Sequence, residues 1–327
     1  MTELHADPMA LLRTRTSTKW ASYPPDVLPL FVAEMDFPLA TPIAAHLIGM
    51  IGRGDLGYDS RRPAIGEAFA GFAHDRWGWD FDPSTLRWTT NVMVAITELL
   101  RSVIEPGDAV VVNTPVYGPF FWAIDDAKGV RVDVPLVEVA PTEWEIDLEG
   151  LEAAFAAGAK AFILCNPHNP IGIPHSREQL ERVAELAAQY DVVVISNEIH
   201  GAIVHSDGVF TPYLDVSDAA RATGVAVTSA SKAFNIPGLT SAYWIPGSPE
   251  AAKRIAGISP SVVHRVSHLG THAATVAFTS ARDWLDSALE TIEANRYRLR
   301  DLLAEQLPEA VLHEPRATYL AWIDFRA

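Results

Sequence analysis

Only one cysteine, Cys165, occurs among the 327 residues, so no intramolecular disulfide can hold the chain together. A lone thiol suits a reducing compartment, and a cytoplasmic location is expected. Positive charge is also scarce: 25 Lys and Arg stand against 41 Asp and Glu, a net charge of -16. Such a surface repels nucleic acid and anionic membranes, so neither is expected as a partner. Any anionic ligand has to be held by local donors, not by a long-range field. No apolar run approaches the ~20 residues needed to span a bilayer. The first eight residues lack the basic stretch and apolar core of a secretory signal. No Gly-x-Gly-x-x-Gly follows an apolar run, which speaks against a dinucleotide-binding enzyme. Internal repeats and low-complexity tracts are missing as well.

What is present is ordinary for a globular chain with a large core: 49% hydrophobic and 20% charged residues. Helical spacing is read over Pro63–Trp77 and Val92–Ile104. Short apolar runs follow at 109–112, 130–134, 161–164, 192–195 and 225–228. They alternate with helical segments at Leu148–Ala157, Ser176–Gln189 and Val216–Ala222. Alternation of this kind predicts an α/β fold, with a mainly parallel sheet covered by helices on both faces. Ala281–Leu307 reads as a long interdomain helix and Tyr319–Phe325 as a strand of a smaller α+β domain. The expected division is an arm at 1–40 that forms part of the small domain, a large domain at 41–280, and an interdomain helix with the start of the small domain at 281–327.

The most informative motif is Ser229-Ala230-Ser231-Lys232-Ala233-Phe234-Asn235. It puts a lysine among small hydroxyl residues just after the strand-like Val225–Val227. An amine held near buried surface can have its pKa lowered and form a Schiff base with an aldehyde. Ser229 and Ser231 offer hydroxyls to a phosphate. Aldehyde plus phosphate describes pyridoxal 5′-phosphate. Three further apolar runs end in polar clusters: Asn113-Thr114-Pro115-Val116-Tyr117, Asn166-Pro167-His168-Asn169-Pro170 and Ser196-Asn197-Glu198-Ile199-His200. Parallel sheets bind ligands at the carboxyl ends of their strands, so these clusters converge on one predicted site.

These motifs, with Lys19-Trp20, Val27–Phe37 and Gly57-Tyr58, resemble the fold-type I pyridoxal phosphate enzymes of the class I/II aminotransferase superfamily. Within it the similarity is strongest to the cystathionine β-lyases of the MalY/PatB type, from about Arg13 onward. The resemblance implies the aspartate aminotransferase-like fold and a carbon–sulfur β-lyase acting on cystathionine or related cysteine thioethers. It further implies that Lys232 binds the cofactor and shuttles the Cα proton, and that Tyr117 stacks on the cofactor ring. Asn169 would bond the phenolic oxygen, Asn197 the ring nitrogen, and His200 would lie near the ring. The phosphate would sit on the amides of Val92 and Met93, joined by Ser229 and Ser231. Tyr58 would reach it from the partner subunit of a homodimer.

Two departures from the family pattern stand out. Asn197 replaces an aspartate whose carboxylate keeps the pyridine nitrogen protonated. The family also continues past Phe325-Arg326-Ala327, into a stretch that finishes the small domain and carries an arginine for the substrate carboxylate. The small domain is therefore expected to be incomplete. An aminotransferase, and a catalytically weakened cofactor-binding or regulatory protein, are the alternative functions. His264, His268 and His272 fall at four-residue spacing, which would place them on one helix face. No carboxylate or cysteine lies between them, so no catalytic metal is expected.

Overall fold

The computed structural model describes residues 4–59 and 64–326. Its strands are β1 (Arg87–Thr89), β2 (Ala109–Val112), β3 (Val130–Asp133), β4 (Val137–Ala140), β5 (Glu143–Glu145), β6 (Ala161–Cys165), β7 (Val193–Asn197), β8 (Gly224–Thr228), β9 (Ala242–Pro246), β10 (Val311–His313) and β11 (Trp322–Asp324). One 7-stranded sheet has the order β1-β9-β8-β7-β6-β2-β3. β3, β2, β6, β7 and β8 pair in parallel, and β9 pairs antiparallel with both β8 and β1. The α/β class and the mainly parallel sheet agree with the sequence; β1 and β9 were not among the expected strands.

Every residue of β6, β7 and β8 is buried, as a parallel sheet sandwiched between helices requires. Alternate residues serve opposite faces. Val111, Phe162, Leu164, Val194 and Ala226 join one apolar cluster, while Val110, Ile163, Ile195, Val225 and Val227 join the other. The second face is covered by the helix Val92–Val103, whose Ala95, Ile96, Leu99 and Leu100 are buried at the helical period. Asn91 starts this helix: its Oδ1 accepts the Val94 amide at 2.8 Å. The helix Arg177–Gln189 begins with a reciprocal capping box between Ser176 and Gln179.

Three expected elements shift for visible reasons. The segment expected as a helix from Val216 begins at Asp218, because Ser217 caps it by accepting the Ala220 amide and Tyr213–Asp215 forms a separate 3-10 turn. The last strand starts at Trp322, not Tyr319. Thr318 stands at a positive φ of 69°, and its hydroxyl accepts the Leu320 amide, so the chain turns there. The predicted start of the first long helix, Pro63, lies outside the described residues, and the helix is seen from Ala64 to Trp77. The long helix Arg282–Gln306 leads into the antiparallel pair β10–β11. Its buried Arg296 donates to Asp207 at 2.9 Å and to the Pro315 carbonyl at 2.6 Å, locking the helix to two loops.

Candidate active site

β2, β6, β7 and β8 deliver their carboxyl ends to one side of the sheet, and a cavity of 620 Å³ opens there. Val92, Met93, Tyr117, Asn169, Asn197, His200, Ser229, Ser231 and Lys232 all line it. Nine of the ten residues singled out in the sequence are thus brought together. Tyr58 is the exception: it is fully exposed and lines a different depression beside Val263 and Val266.

The Lys232 amine donates to the backbone carbonyl of Ala33 at 2.9 Å. Burial lowers its pKa from the ordinary lysine range, and the Glu34 carboxylate pulls partly the other way. Asn197 ends β7 almost wholly buried, and its Oδ1 accepts the Ile199 amide at 3.3 Å. His200 is pushed down to about 3 by burial, with the charge of Lys232 adding to the effect. Its imidazole is therefore neutral through the physiological range. Its Nδ1 is buried without a partner among the described residues. Tyr117 is 38% exposed, with its ring edge-on to Phe120 at 5.6 Å. Burial raises its phenol pKa, helped by Cys165.

The two serines differ. Ser229 is buried, donates to the Ser241 carbonyl at 2.7 Å and accepts the Ser231 amide at 3.0 Å. Its hydroxyl proton is thus directed at Ser241, whereas the Ser231 side chain faces the cavity from a half-buried position. The first-turn amides of Val92 and Met93 have no preceding helical carbonyl to bond. They form the positive end of a 12-residue helix, a suitable seat for an anion.

The opposite wall was not foreseen as part of the site. Leu30, Phe31, Val32 and Ala33 line the cavity from an N-terminal strap, and Leu320 closes it from near the other end of the chain. The strap is held by side chains. Asn235 pairs reciprocally with the Met35 backbone, at 2.9 Å and 2.8 Å. Buried Lys19 donates to the Glu34 carbonyl and to Asp36, both at 2.9 Å, and the Trp20 indole donates to Asp36 at 3.2 Å. Lys19-Trp20 and Ala33–Phe37 were visible as a motif, but only folding shows that they build a wall.

His168 does not enter the cavity. Its Nε2 faces the Pro115 carbonyl at 2.8 Å, tying the loop after β6 to the loop after β2, and burial holds its pKa down at about 4. The three spaced histidines do not share a helix: His264 ends one short helix and His268 begins the next. Among the described residues no cluster of histidine, cysteine or carboxylate groups has the arrangement of a metal site.

A phosphorylated aldehyde fits this donor set. The cavity offers an amine for the aldehyde, a helix N-terminus and Ser231 for the phosphate, an aromatic ring for a stacked heterocycle, and two amide side chains for its polar edge. Residues 40–327 match the family model for aminotransferase class I and II. A Mycobacterium leprae protein provisionally named cystathionine beta-lyase is 42% identical over 325 residues, spanning 96% of this chain and 79% of that protein. The cystathionine beta-lyase PatB of Bacillus subtilis is 33% identical over 304 residues, 92% of this chain and 78% of its own. Among solved structures, cystalysin from Treponema denticola, which contains a pyridoxal 5′-phosphate cofactor, superposes with a TM-score of 0.90 at 27% identity, over 95% of this chain and 81% of its own.

Proposed function

Given that the chain belongs to the aminotransferase class I and II family, we propose that it is a pyridoxal 5′-phosphate-dependent carbon–sulfur β-lyase. It would cleave cystathionine or a related cysteine thioether to a thiol, pyruvate and ammonia. The observation that carries this is Lys232, a depressed-pKa amine in a cavity whose other walls suit a phosphate and an aromatic ring. When bound, the cofactor supplies the electron sink that makes the substrate Cα proton acidic and the Cβ–S bond labile.

The remaining work falls to the chain itself. Lys232 would hold the cofactor through its aldehyde carbon and, when its amine is free, would take the substrate Cα proton as a general base. Val92 and Met93 would hold the phosphate through their amides, with Ser231 adding its hydroxyl, while Ser229 fixes the turn that presents Ser231. Tyr117 would cover one ring face. Asn169 would donate to the phenolic oxygen without adding charge. His200 would stay neutral beside the ring. Asn197 can bond the ring nitrogen, but an amide stabilises its protonated form less than a carboxylate does. That favours a second reading, a protein that holds the cofactor but turns over slowly.

Tyr58 belongs to the same proposal. The stretch 27–58 gathers exposed large apolar side chains, with Leu30 83%, Ile48 69% and Tyr58 100% exposed. Such a surface suits a second copy of this chain, in which Tyr58 would reach the partner's phosphate. No helix among the described residues is long and apolar enough to cross a membrane.

The test is pyruvate and thiol release from L-cystathionine by the cofactor-loaded protein, with Lys232→Ala as the control. Lysine-dependent pyruvate supports the lyase. Cofactor binding without pyruvate, but with amino transfer to a keto acid, would replace it with an aminotransferase. Cofactor binding with neither reaction leaves the weakened protein.

A further inference from the structure

The Ala33 carbonyl receives two donors. The Lys232 amine approaches it at 2.9 Å, and the hydroxyl of Tyr319 approaches the same oxygen at 2.9 Å. A carbonyl oxygen has two lone pairs, so both bonds can exist together. Tyr319 is partly buried, and burial, then the charge of Glu34, raises its phenol well above the ordinary range. The hydroxyl therefore stays protonated and can only be a donor toward this carbonyl.

Tyr319 is aimed there deliberately. It follows Thr318, a fully buried β-branched residue at φ 69°, a backbone region that such residues rarely occupy. The turn is fastened by the Thr318 amide to the Ile203 carbonyl at 2.7 Å and by the Thr318 hydroxyl to the Leu320 amide at 3.1 Å. The Tyr319 ring stands edge-on to His200 at 6.3 Å, so one side chain touches both the strap and the floor of the cavity. The strap is held independently of the lysine, by Asn235 on the Met35 backbone and by Lys19 on the Glu34 carbonyl.

We propose that Tyr319 is a positioning residue for Lys232: it keeps the Ala33 carbonyl paired whenever the lysine leaves that oxygen, and so eases the amine's departure and return. The inference rests on the cofactor reading of Lys232. With Tyr319 in place, the lysine exchanges one acceptor for another and the Ala33 carbonyl keeps a donor. Without the hydroxyl, the amine is the only donor left to Ala33, is held there as ammonium, and leaves reluctantly.

Tyr319→Phe removes the hydroxyl and keeps the ring. In the cofactor-free chain, the condensation of Lys232 with added pyridoxal 5′-phosphate is followed by visible absorbance across pH. The variant is expected to condense roughly tenfold more slowly, the scale of one unsatisfied acceptor, with the pH midpoint moved upward. In the loaded enzyme, exchange of the Cα proton of L-alanine with deuterium should slow similarly while the KM for alanine stays the same. Alanine has no leaving group, so exchange without pyruvate release from thioethers would defeat the lyase reading and leave the role of Tyr319 standing. If Tyr319→Phe does not fold, difluorotyrosine at position 319, a stronger donor, should speed condensation and lower the midpoint. An unchanged rate and midpoint, or a lowered thermal stability with an unchanged midpoint, overturns the proposal.

Discussion

The two walls of the cavity are built by different means. The floor consists of the carboxyl ends of β2, β6, β7 and β8, fixed by parallel ladders and by side chains buried on both faces. The opposite wall is the strap Leu30–Ala33 together with Leu320, fixed by a handful of side-chain bonds from Lys19, Trp20, Asn235 and Tyr319. A floor resting on backbone ladders tolerates the loss of a side chain that points into the cavity, so changes at those positions should alter chemistry and spare the fold. A wall held by few bonds should lose stability or fit with each one removed.

The largest effect expected is on the floor. Lys232→Ala should abolish lysine-dependent pyruvate release, a fall of more than about 10³-fold, with thermal unfolding near that of the parent. Asn197→Asp should sharpen the comparison from the same side. On the proposed reading, a carboxylate at this position should raise turnover by ~10²-fold, by analogy with the value of one positioned charge partner. No gain would mean that the site stabilises charge by other groups.

The wall should answer differently. Lys19→Met removes a buried donor from the Glu34 carbonyl and from Asp36, and should cost about 2 kcal/mol of stability by denaturant unfolding. It should also raise the KM for thioether while leaving kcat within severalfold. If Lys19→Met instead lowered kcat and left stability alone, the distinction between floor and wall would fail.

The smallest effect is a pH dependence beneath the floor. Glu198 is buried beside Asn197, accepts the Ser196 hydroxyl at 2.9 Å and the Tyr213 amide at 2.8 Å, and burial raises its pKa to about 7. Its native form therefore holds a proton that the unfolded chain releases near pH 4.5. Its contribution is fully present below that value and is lost as pH rises toward 7. Glu198→Gln keeps an acceptor for both donors and should stabilise the protein by about 1–2 kcal/mol at pH 8, with little change at pH 4. The buried His168 and His200, lowered to about 4 and about 3, work in the other sense: their contribution is lost as pH falls below the ordinary histidine value of 6.5.

Legibility in the sequence followed the same division. The floor could be read because each strand is a short apolar run followed by a polar cluster, and strand direction alone brings the ends together. Asn169, Asn197 and Lys232 needed no knowledge of packing to be grouped. The wall could not be read that way. Ala33 meets Lys232 across 199 residues and Tyr319 across 286, through a backbone oxygen that carries no residue identity. β1 and β9 escaped notice for a related reason: Arg87–Thr89 is three residues long, and β9 follows β8 with only a three-residue 3-10 turn, Pro237–Leu239, between them. The histidine spacing misled because Pro260 and Ser267 start separate helices within a run of regular spacing. Tyr58 lies outside its own chain's cavity and lines a separate depression.

The most direct measurement is borohydride reduction of the cofactor-loaded protein followed by peptide mass mapping. The account predicts a single phosphopyridoxyl label, on Lys232, absent from Lys232→Ala. A label on Lys19 or another lysine, or none on a protein that has bound the cofactor, would contradict it.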